Sequence, residues 1–335
     1  MTLLVVAYNE ENVLREKLEN CLALDYPPSQ LSILVCSDGS TDQTPEILNE
    51  YQSQLSTINY PERAGKAAVI EKAFSNITSD IVVFSDANTF FEKDAIQKLV
   101  RNFADEAVGA VSGKVRLVSH STVHGEPESW YYRYEWRLHQ LESTICSQIG
   151  VDGAMYAIRR SCFPKRFGPA VNDDFYIGFQ VALQGLRVVF DPNAQGHELS
   201  EGTLRSEFLR KVRITTLGIK SFLDADFWPK FSRPFLLFQL ISHKILRWFT
   251  PFLLAGVLFP SILLMEGSFF RIALLLQLVF YGYAALGYFL KSKAVWLSLP
   301  MYFCLVNLAA GIGVIKGFVF EQSRTWERLE SRRWA

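Results

Sequence analysis

At 335 residues the chain has room for one large domain or two ordinary ones, and its 34 basic and 34 acidic side chains cancel, which removes any global field that would draw nucleic acid. The hydrophobic share of 49%, with 26 Phe, is concentrated after Phe235 and excludes a uniformly soluble chain. Five cysteines, at 21, 36, 146, 162 and 304, are odd in number and form no Cys-x-x-Cys pair, a pattern that argues against structural zinc and for reduced thiols facing a cytosol.

The first apolar run, Leu3 to Val6, is too short for a signal peptide. It reads as a strand, Thr2 to Val6, with almost nothing before it, which leaves open an upstream segment such as a membrane anchor. Asn9 is placed to cap a helix from about Glu10 to Ala23, with Glu10 and Glu11 at its positive end. A second strand, Leu31 to Cys36, ends in the turn-rich Ser37-Asp38-Gly39-Ser40-Thr41-Asp42, and Thr44-Pro45 opens a helix to about Gln54. A short strand near Thr57 to Asn59 leads through Arg63-Ala64-Gly65-Lys66 into a helix from Lys66 to Ser75. This β-α alternation with short links predicts an α/β fold: a Rossmann-like, mostly parallel sheet with helices on both faces.

The next strand, Ile81-Val82-Val83-Phe84, organises the rest. Its apolar run is that of a buried parallel strand, and Ser85, Asp86 and Asn88 leave its carboxyl end, where open α/β sheets bind ligands. A carboxylate and an amide one residue apart offer oxygen ligands to Mg²⁺ or Mn²⁺, which in turn hold phosphates; the alternative is that Asp86 caps a helix beginning near Phe91. Three strand ends thus bring Asp38, Lys66 and Asp86 to one crevice suited to a nucleoside diphosphate. Asp38 would accept from base or ribose, Lys66 would approach the diphosphate, and Asp86 with Asn88 would hold the metal. Taken singly, Lys66 is an ordinary lysine of a first helical turn and Asp38 an ordinary turn residue.

After a helix from Lys93 to Phe103, Val108 to Val118 reads as one bent strand or two short ones, with bulges at Gly109 and Gly113. Ser129 to Cys146 is helical and aromatic. Gly150-Val151-Asp152-Gly153-Ala154 is a turn whose glycines let backbone approach a ligand, and it leads into the strand Met155 to Ile158. Asp173 and Asp174 precede a helix, Tyr176 to Gln184, closed by Gly185 and followed by a strand, Arg187 to Phe190. The two acids are either partners of the helix dipole or a general base, Asp174, beside a second carboxylate. His197 and Glu198 follow another strand end and read as a polar turn, the alternative being that Glu198 supports the site residues from behind.

Phe235 to Arg247 has the pattern of an interfacial helix, and three apolar segments follow, about Trp248 to Met265, Phe269 to Leu290 and Val295 to Ile315, each near bilayer length. Lys291 and Lys293 mark the second link as cytoplasmic, whereas Arg324, Arg328, Arg332 and Arg333 place the tail there too. The two assignments conflict unless the third segment, with Pro300, Asn307, Gly311 and Gly313, is re-entrant or the tail breaks the rule. The division is therefore residues 1–230, cytosolic and catalytic, and residues 231–335, membrane helices with a basic tail.

The ordered set Ala-Tyr-Asn-Glu-Glu, Ser-Asp-Gly-Ser-Thr-Asp, Gly-Lys, Ser-Asp-Ala-Asn, Asp-Gly-Ala and Asn-Asp-Asp resembles the membrane-bound family 2 glycosyltransferases of GT-A fold, which include bacterial poly-N-acetylglucosamine, chitin-oligosaccharide, hyaluronan and cellulose synthases. The likeness runs from about Thr2 to Gly218. It implies transfer of a sugar from a nucleotide donor, UDP-linked, with inversion, to a lipid-linked or saccharide acceptor at the membrane. It also implies a nucleoside-binding Asp38, a metal-binding Asp86 and Asn88, a base Asp174 beside Asp173, and a sugar-bordering loop at Asp152 and Gly153. Two departures stand out: Asn88 replaces the usual second Asp, and where processive members carry Gln-x-x-Arg-Trp this chain has Arg210, Arg213 and Ile214. The arginines remain candidates for the diphosphate, while loss of the Trp argues against processive polymerisation. A processive synthase and a catalytically silent nucleotide-binding scaffold are the competing readings.

Overall fold

The protein is described by a computed structural model over residues 1–119, 125–165, 167, 172–200, 203–223, 233–290 and 294–319. The basic link at Lys291 and Lys293 and the arginines of the tail lie outside these residues.

An eight-stranded sheet in the order β3-β2-β1-β4-β7-β6-β8-β5 carries the site. Its first half, β1 (Thr2–Ala7), β2 (Ser32–Asp38), β3 (Ser56–Tyr60) and β4 (Ile81–Asp86), is wholly parallel, as the β-α alternation requires. The helices between these strands are α1 (Leu14–Leu22), α2 (Thr44–Glu50) and α3 (Lys66–Phe74). Alternation along β1 feeds two cores: Leu4 points to the face covered by α3, and Leu3, Val5 and Ala7 to the face covered by α1 and α2. Each Leu or Val among them, sealed from water, contributes about 1.5–3 kcal/mol.

The second half is mixed. Two residues beyond β4, the chain forms β5 (Thr89–Phe91), where a helix start near Phe91 was the alternative expectation, and β5 lies at the opposite edge of the sheet, antiparallel to β8 (Arg187–Ser200). Then come α4 (Ala95–Val100), shorter than expected because its last turn tightens into a 3₁₀ turn, and β6 (Val108–Ser119). β6 is one bent strand whose register slips at Gly109 and Gly113, as expected of bulges. It is followed by α5 (Gly125–Ile145), β7 (Met155–Arg159) and α6 (Asp173–Leu183), which closes on Gly185 at φ 99°. β8 runs ten residues past the expected Phe190, so His197 and Glu198 sit within a paired strand and not in a turn.

One local expectation fails for a clear reason. α1 starts at Leu14 without a side-chain cap, because Asn9 adopts φ 54° and spends its amide on the neighbouring loop: Thr41 N donates to Asn9 Oδ1 at 2.8 Å, and Asn9 Nδ2 donates to Thr41 Oγ1 at 3.3 Å.

After α7 (Leu204–Leu223), residues Pro234–Leu263 form one continuous helical run instead of an interfacial helix and a separate span. It comprises α8 (Pro234–Gln239), a π-helical stretch over Leu240–Ile245 and α9 (Leu246–Leu263). The π stretch lets His243 Nδ1 meet Glu142 at 2.7 Å, and Arg247 pairs with Glu135, so the run is pinned to α5 by buried polar contacts. α10 (Ser268–Leu290) and α11 (Val295–Val319) complete three helices long and apolar enough to cross a membrane. Leu263, Phe269 and Phe289 are 81%, 76% and 78% exposed, apolar surface that water does not tolerate in bulk. α11 is an unbroken helix, not a re-entrant loop. Its glycines serve contact: a Cβ on Gly313 would lie 2.6 Å from Thr215 Cβ, and one on Gly317 would lie 2.7 Å from Ile219 Cβ, so α11 touches the backbone of α7.

Candidate active site

Asp38 ends β2 almost fully buried, and both its oxygens are taken by the loop that follows β3: Ala64 N donates to Oδ1 at 2.7 Å and Gly65 N to Oδ2 at 2.9 Å. The turn after it needs glycine, since Gly39 has φ 62° and a Cβ there would fall 2.4 Å from Arg63 N. Asp38 thus fixes the Ala64-Gly65-Lys66 corner, a positioning role that the sequence reading did not give it.

Lys66, first residue of α3, is the hub. Its Nζ donates to Asp86 Oδ1 at 2.6 Å, pairs with Asp173 Oδ2 at 3.1 Å and lies 3.5 Å from Gly153 O. Burial alone would lower its pKa, but Asp173 and Asp86 more than offset that and raise it well above the ordinary lysine value. One ammonium therefore joins the end of β4, the start of α6 and the loop before β7.

Asp174 faces that loop closely. A Cβ on Gly153 would stand 2.8 Å from Asp174 Oδ2, so only glycine leaves the carboxylate its place. Phe175 N donates to Asp174 Oδ1 at 2.5 Å. Burial first, and the neighbouring Asp173 second, push Asp174 up to about 6 against the opposing pull of Lys66. Asp152, whose Oδ1 accepts from Ala154 N at 3.1 Å, is pushed up to about 7 by burial, with Glu198, Asp174 and Asp86 adding to the rise. Both acids titrate where a group that exchanges protons near neutrality must.

Two arginines come from α7. Arg213 is held down to about 10 by burial and by Arg210, against Asp86, Asp173 and Asp174, the carboxylates that it faces. Arg210 Nε donates to Glu207 at 2.8 Å and its Nη2 to Tyr132 OH at 2.7 Å. From behind, Trp248 of α9 packs edge-on to Phe175 at 5.8 Å, so one of the long apolar helices backs the residue next to Asp174.

Two further contributors flank the site, Lys17, which the sequence reading missed, and Glu198, which it weighed only as the lesser alternative. Lys17 is fully buried under the β4–β5 turn, where its Nζ donates to Ser85 Oγ at 2.7 Å and to Thr89 O. Its signal was available: Leu14, Lys17, Leu18 and Cys21 make one stripe of α1, so a lysine occupied an apolar position. The other is Glu198, brought by β8 to Asn88, which donates from Nδ2 to Glu198 Oε1 at 3.4 Å and to Leu199 O at 3.3 Å.

Residues 2–167 match the family model for glycosyl transferase family 2. Over these residues the chain belongs to that family, and its mostly parallel GT-A-like sheet is followed by long apolar helices. Among its relatives are the poly-β-1,6-N-acetyl-D-glucosamine synthases of Staphylococcus aureus, 24% identical over 253 residues, and of Staphylococcus epidermidis, 22% identical over 254 residues. The alignments cover 73% and 72% of this chain, which spans 61% of the length of these curated relatives. Among solved structures, a mannosyltransferase from Pyrobaculum calidifontis in complex with GDP-Man and Mn²⁺ superposes with a TM-score of 0.66 at 25% identity, covering 92% of this chain and 86% of the other.

Proposed function

We propose that the chain is an inverting, metal-dependent glycosyltransferase that moves a sugar from a nucleoside diphosphate, UDP-linked, to the hydroxyl of a lipid-linked or saccharide acceptor at a membrane. The observation that carries this reading is the single ammonium of Lys66 between Asp86 and Asp173, which sets a diphosphate site against a buried carboxylate with its pKa raised to about 6. Asp174 takes the proton from the acceptor O–H; the acceptor oxygen attacks the anomeric carbon, and the bond from that carbon to the phosphate oxygen breaks on the far side. Lys66 and Arg213 meet the negative charge that gathers on the leaving diphosphate. Asp152 and Gly153 border the sugar.

The donor set fits a hard divalent cation. Asn88 spends its amide nitrogen on Glu198 and Leu199 O, which leaves the amide oxygen outside those bonds, and Asp86 gives Lys66 one carboxylate oxygen. Asp86 and Asn88 would hold Mg²⁺ or Mn²⁺, which when bound supplies charge neutralisation to the diphosphate. The solved mannosyltransferase, a complex with Mn²⁺ and GDP-Man, supports the metal and makes GDP-sugars the rival donors. The exposed apolar faces of α9, α10 and α11 support seating in a bilayer, and the basic link at Lys291 and Lys293 is the reason for assigning the sheet domain to the cytosolic side. Ile214 in place of an acceptor-bordering Trp favours limited addition over processive synthesis.

The test is nucleotide release by the full chain in lipid nanodiscs, with panels of UDP- and GDP-sugars plus Mn²⁺. One donor should give turnover, and Asp174→Asn should lower it about 10²–10⁴-fold with nucleotide binding kept. Equal turnover in parent and variant would remove the base assignment. Nucleotide binding with no release from any donor would favour the silent scaffold.

A further inference from the structure

The second metal-binding position of this site holds a neutral residue. Asn88 offers an amide oxygen where the resemblance leads one to expect a carboxylate, and Asp86 already shares its charge with Lys66 at 2.6 Å. A divalent cation held only by these two would have one anionic ligand, itself partly neutralised by an ammonium. Hard cations draw their affinity largely from ligand charge, so such a site would bind weakly.

The sheet supplies what the local motif lacks. β5 pairs with β8 in the register Thr89↔Glu198, and Leu199 N donates to Asn88 O at 3.2 Å, which fixes the end of β8 against the residue after Ala87. The Glu198 side chain accordingly lies on the same side as Asn88, 3.4 Å from its amide nitrogen. Glu198 is half-buried and feels Arg210, Asp86 and Lys66, so it belongs to this crevice and not to the outer surface. The crevice around it also holds Asp152 and the cations Lys66 and Arg210.

We propose that Glu198 completes the cation site, supplying from the neighbouring strand the carboxylate that Asn88 lacks and holding the Asn88 oxygen toward the metal. The proposal rests on the cation assigned to Asp86 and Asn88 above. It makes the pair at 88 and 198 one unit: an acid is required at either position, so an acid placed at 88 should relieve the need for one at 198.

The experiment is Mn²⁺ titration of the full chain in nanodiscs, read by electron paramagnetic resonance with and without UDP or GDP, which needs no turnover. Glu198→Gln keeps shape and hydrogen bonding and should weaken Mn²⁺ about 10- to 100-fold, the range found when groups around a metal are lost, with metal-free nucleotide affinity unchanged. Asn88→Asp combined with Glu198→Gln should restore Mn²⁺ affinity to within about threefold of the parent. Asn88→Asp alone keeps Glu198 and covers the case in which the Gln variant fails to fold; it should enlarge the rise in Tm on adding Mn²⁺. Parent-like Mn²⁺ affinity in Glu198→Gln would overturn the proposal, as would failure of the double variant to recover. An equal fall in metal-free nucleotide affinity would also overturn it, because Glu198 would then act only through Arg210. If the parent itself binds no Mn²⁺ in the presence of nucleotide, the cation assignment fails first and this inference falls with it.

Discussion

The two walls of the crevice treat charge in opposite ways. On the β4 side, Lys66 sits between Asp86 and Asp173 with both pairs formed, and the corner that carries it is tied down by Asp38. On the other side Asp152 and Asp174 are buried with less compensation, and their pKa values rise to about 7 and about 6. A wall of satisfied charge is suited to gripping a charged leaving group. A wall of unsatisfied carboxylate is suited to taking a proton, at a cost in stability.

The largest expected effect comes from breaking the satisfied wall. Lys66→Met leaves Asp86 and Asp173 facing each other across a half-buried gap and should cost about 2–4 kcal/mol, read as a fall in the chemical-denaturation midpoint, together with loss of donor binding. Lys17→Met, beneath the same wall, removes the buried donor to Ser85 Oγ and Thr89 O and should cost about 1–3 kcal/mol by the same measurement.

The other wall should respond with the opposite sign. Because Asp174 has a folded pKa above its unfolded value, its contribution to stability is fully present below about 3.8 and is lost as pH rises through about 6. Asp174→Asn should therefore stabilise the fold at pH 7.5 by about 1–3 kcal/mol while abolishing turnover, and should flatten the dependence of Tm on pH between about 4 and 7. A variant less stable than the parent would show the carboxylate to be compensated after all. For activity the sign reverses: Asp174 must be unprotonated to accept a proton, so release should rise with pH through about 6 and level off above it. The smallest change, Gly153→Ala, should displace the Asp174 carboxylate and lower kcat by about tenfold with Tm nearly unchanged, because its Cβ meets a side-chain oxygen and not the core.

How much of this was legible depended on how far apart the partners lie in the chain. The parallel half, the bulges at Gly109 and Gly113 and the C-cap at Gly185 are local signals, and all are present as expected. Lys66 with Asp86 could be anticipated because consecutive β-α units bring their strand ends together. Glu198 was legible only as the lesser alternative, since β5 leaves β4 for the far edge of the sheet and meets a strand 110 residues later; read locally, His197-Glu198 is first of all a polar pair. Asn9 misled because a capping side chain and a loop-bridging one look alike until the partner, Thr41, is in view. The second and third long apolar helices were legible from hydropathy, but the fusion of the first with the helix before it was not, nor was the close packing of α11 on α7, because glycine signals either a break or a contact.

That packing has a mechanical corollary. Arg210 and Arg213 ride on α7, whose neighbouring surface is locked to α11 by Gly313 against Thr215 and Gly317 against Ile219, with Tyr302 of α11 bonded to Glu207 at 2.9 Å. A helix so clasped moves with its partner, so under the proposed function any tilt of α11 would reach the site as a shift of the two guanidinium groups.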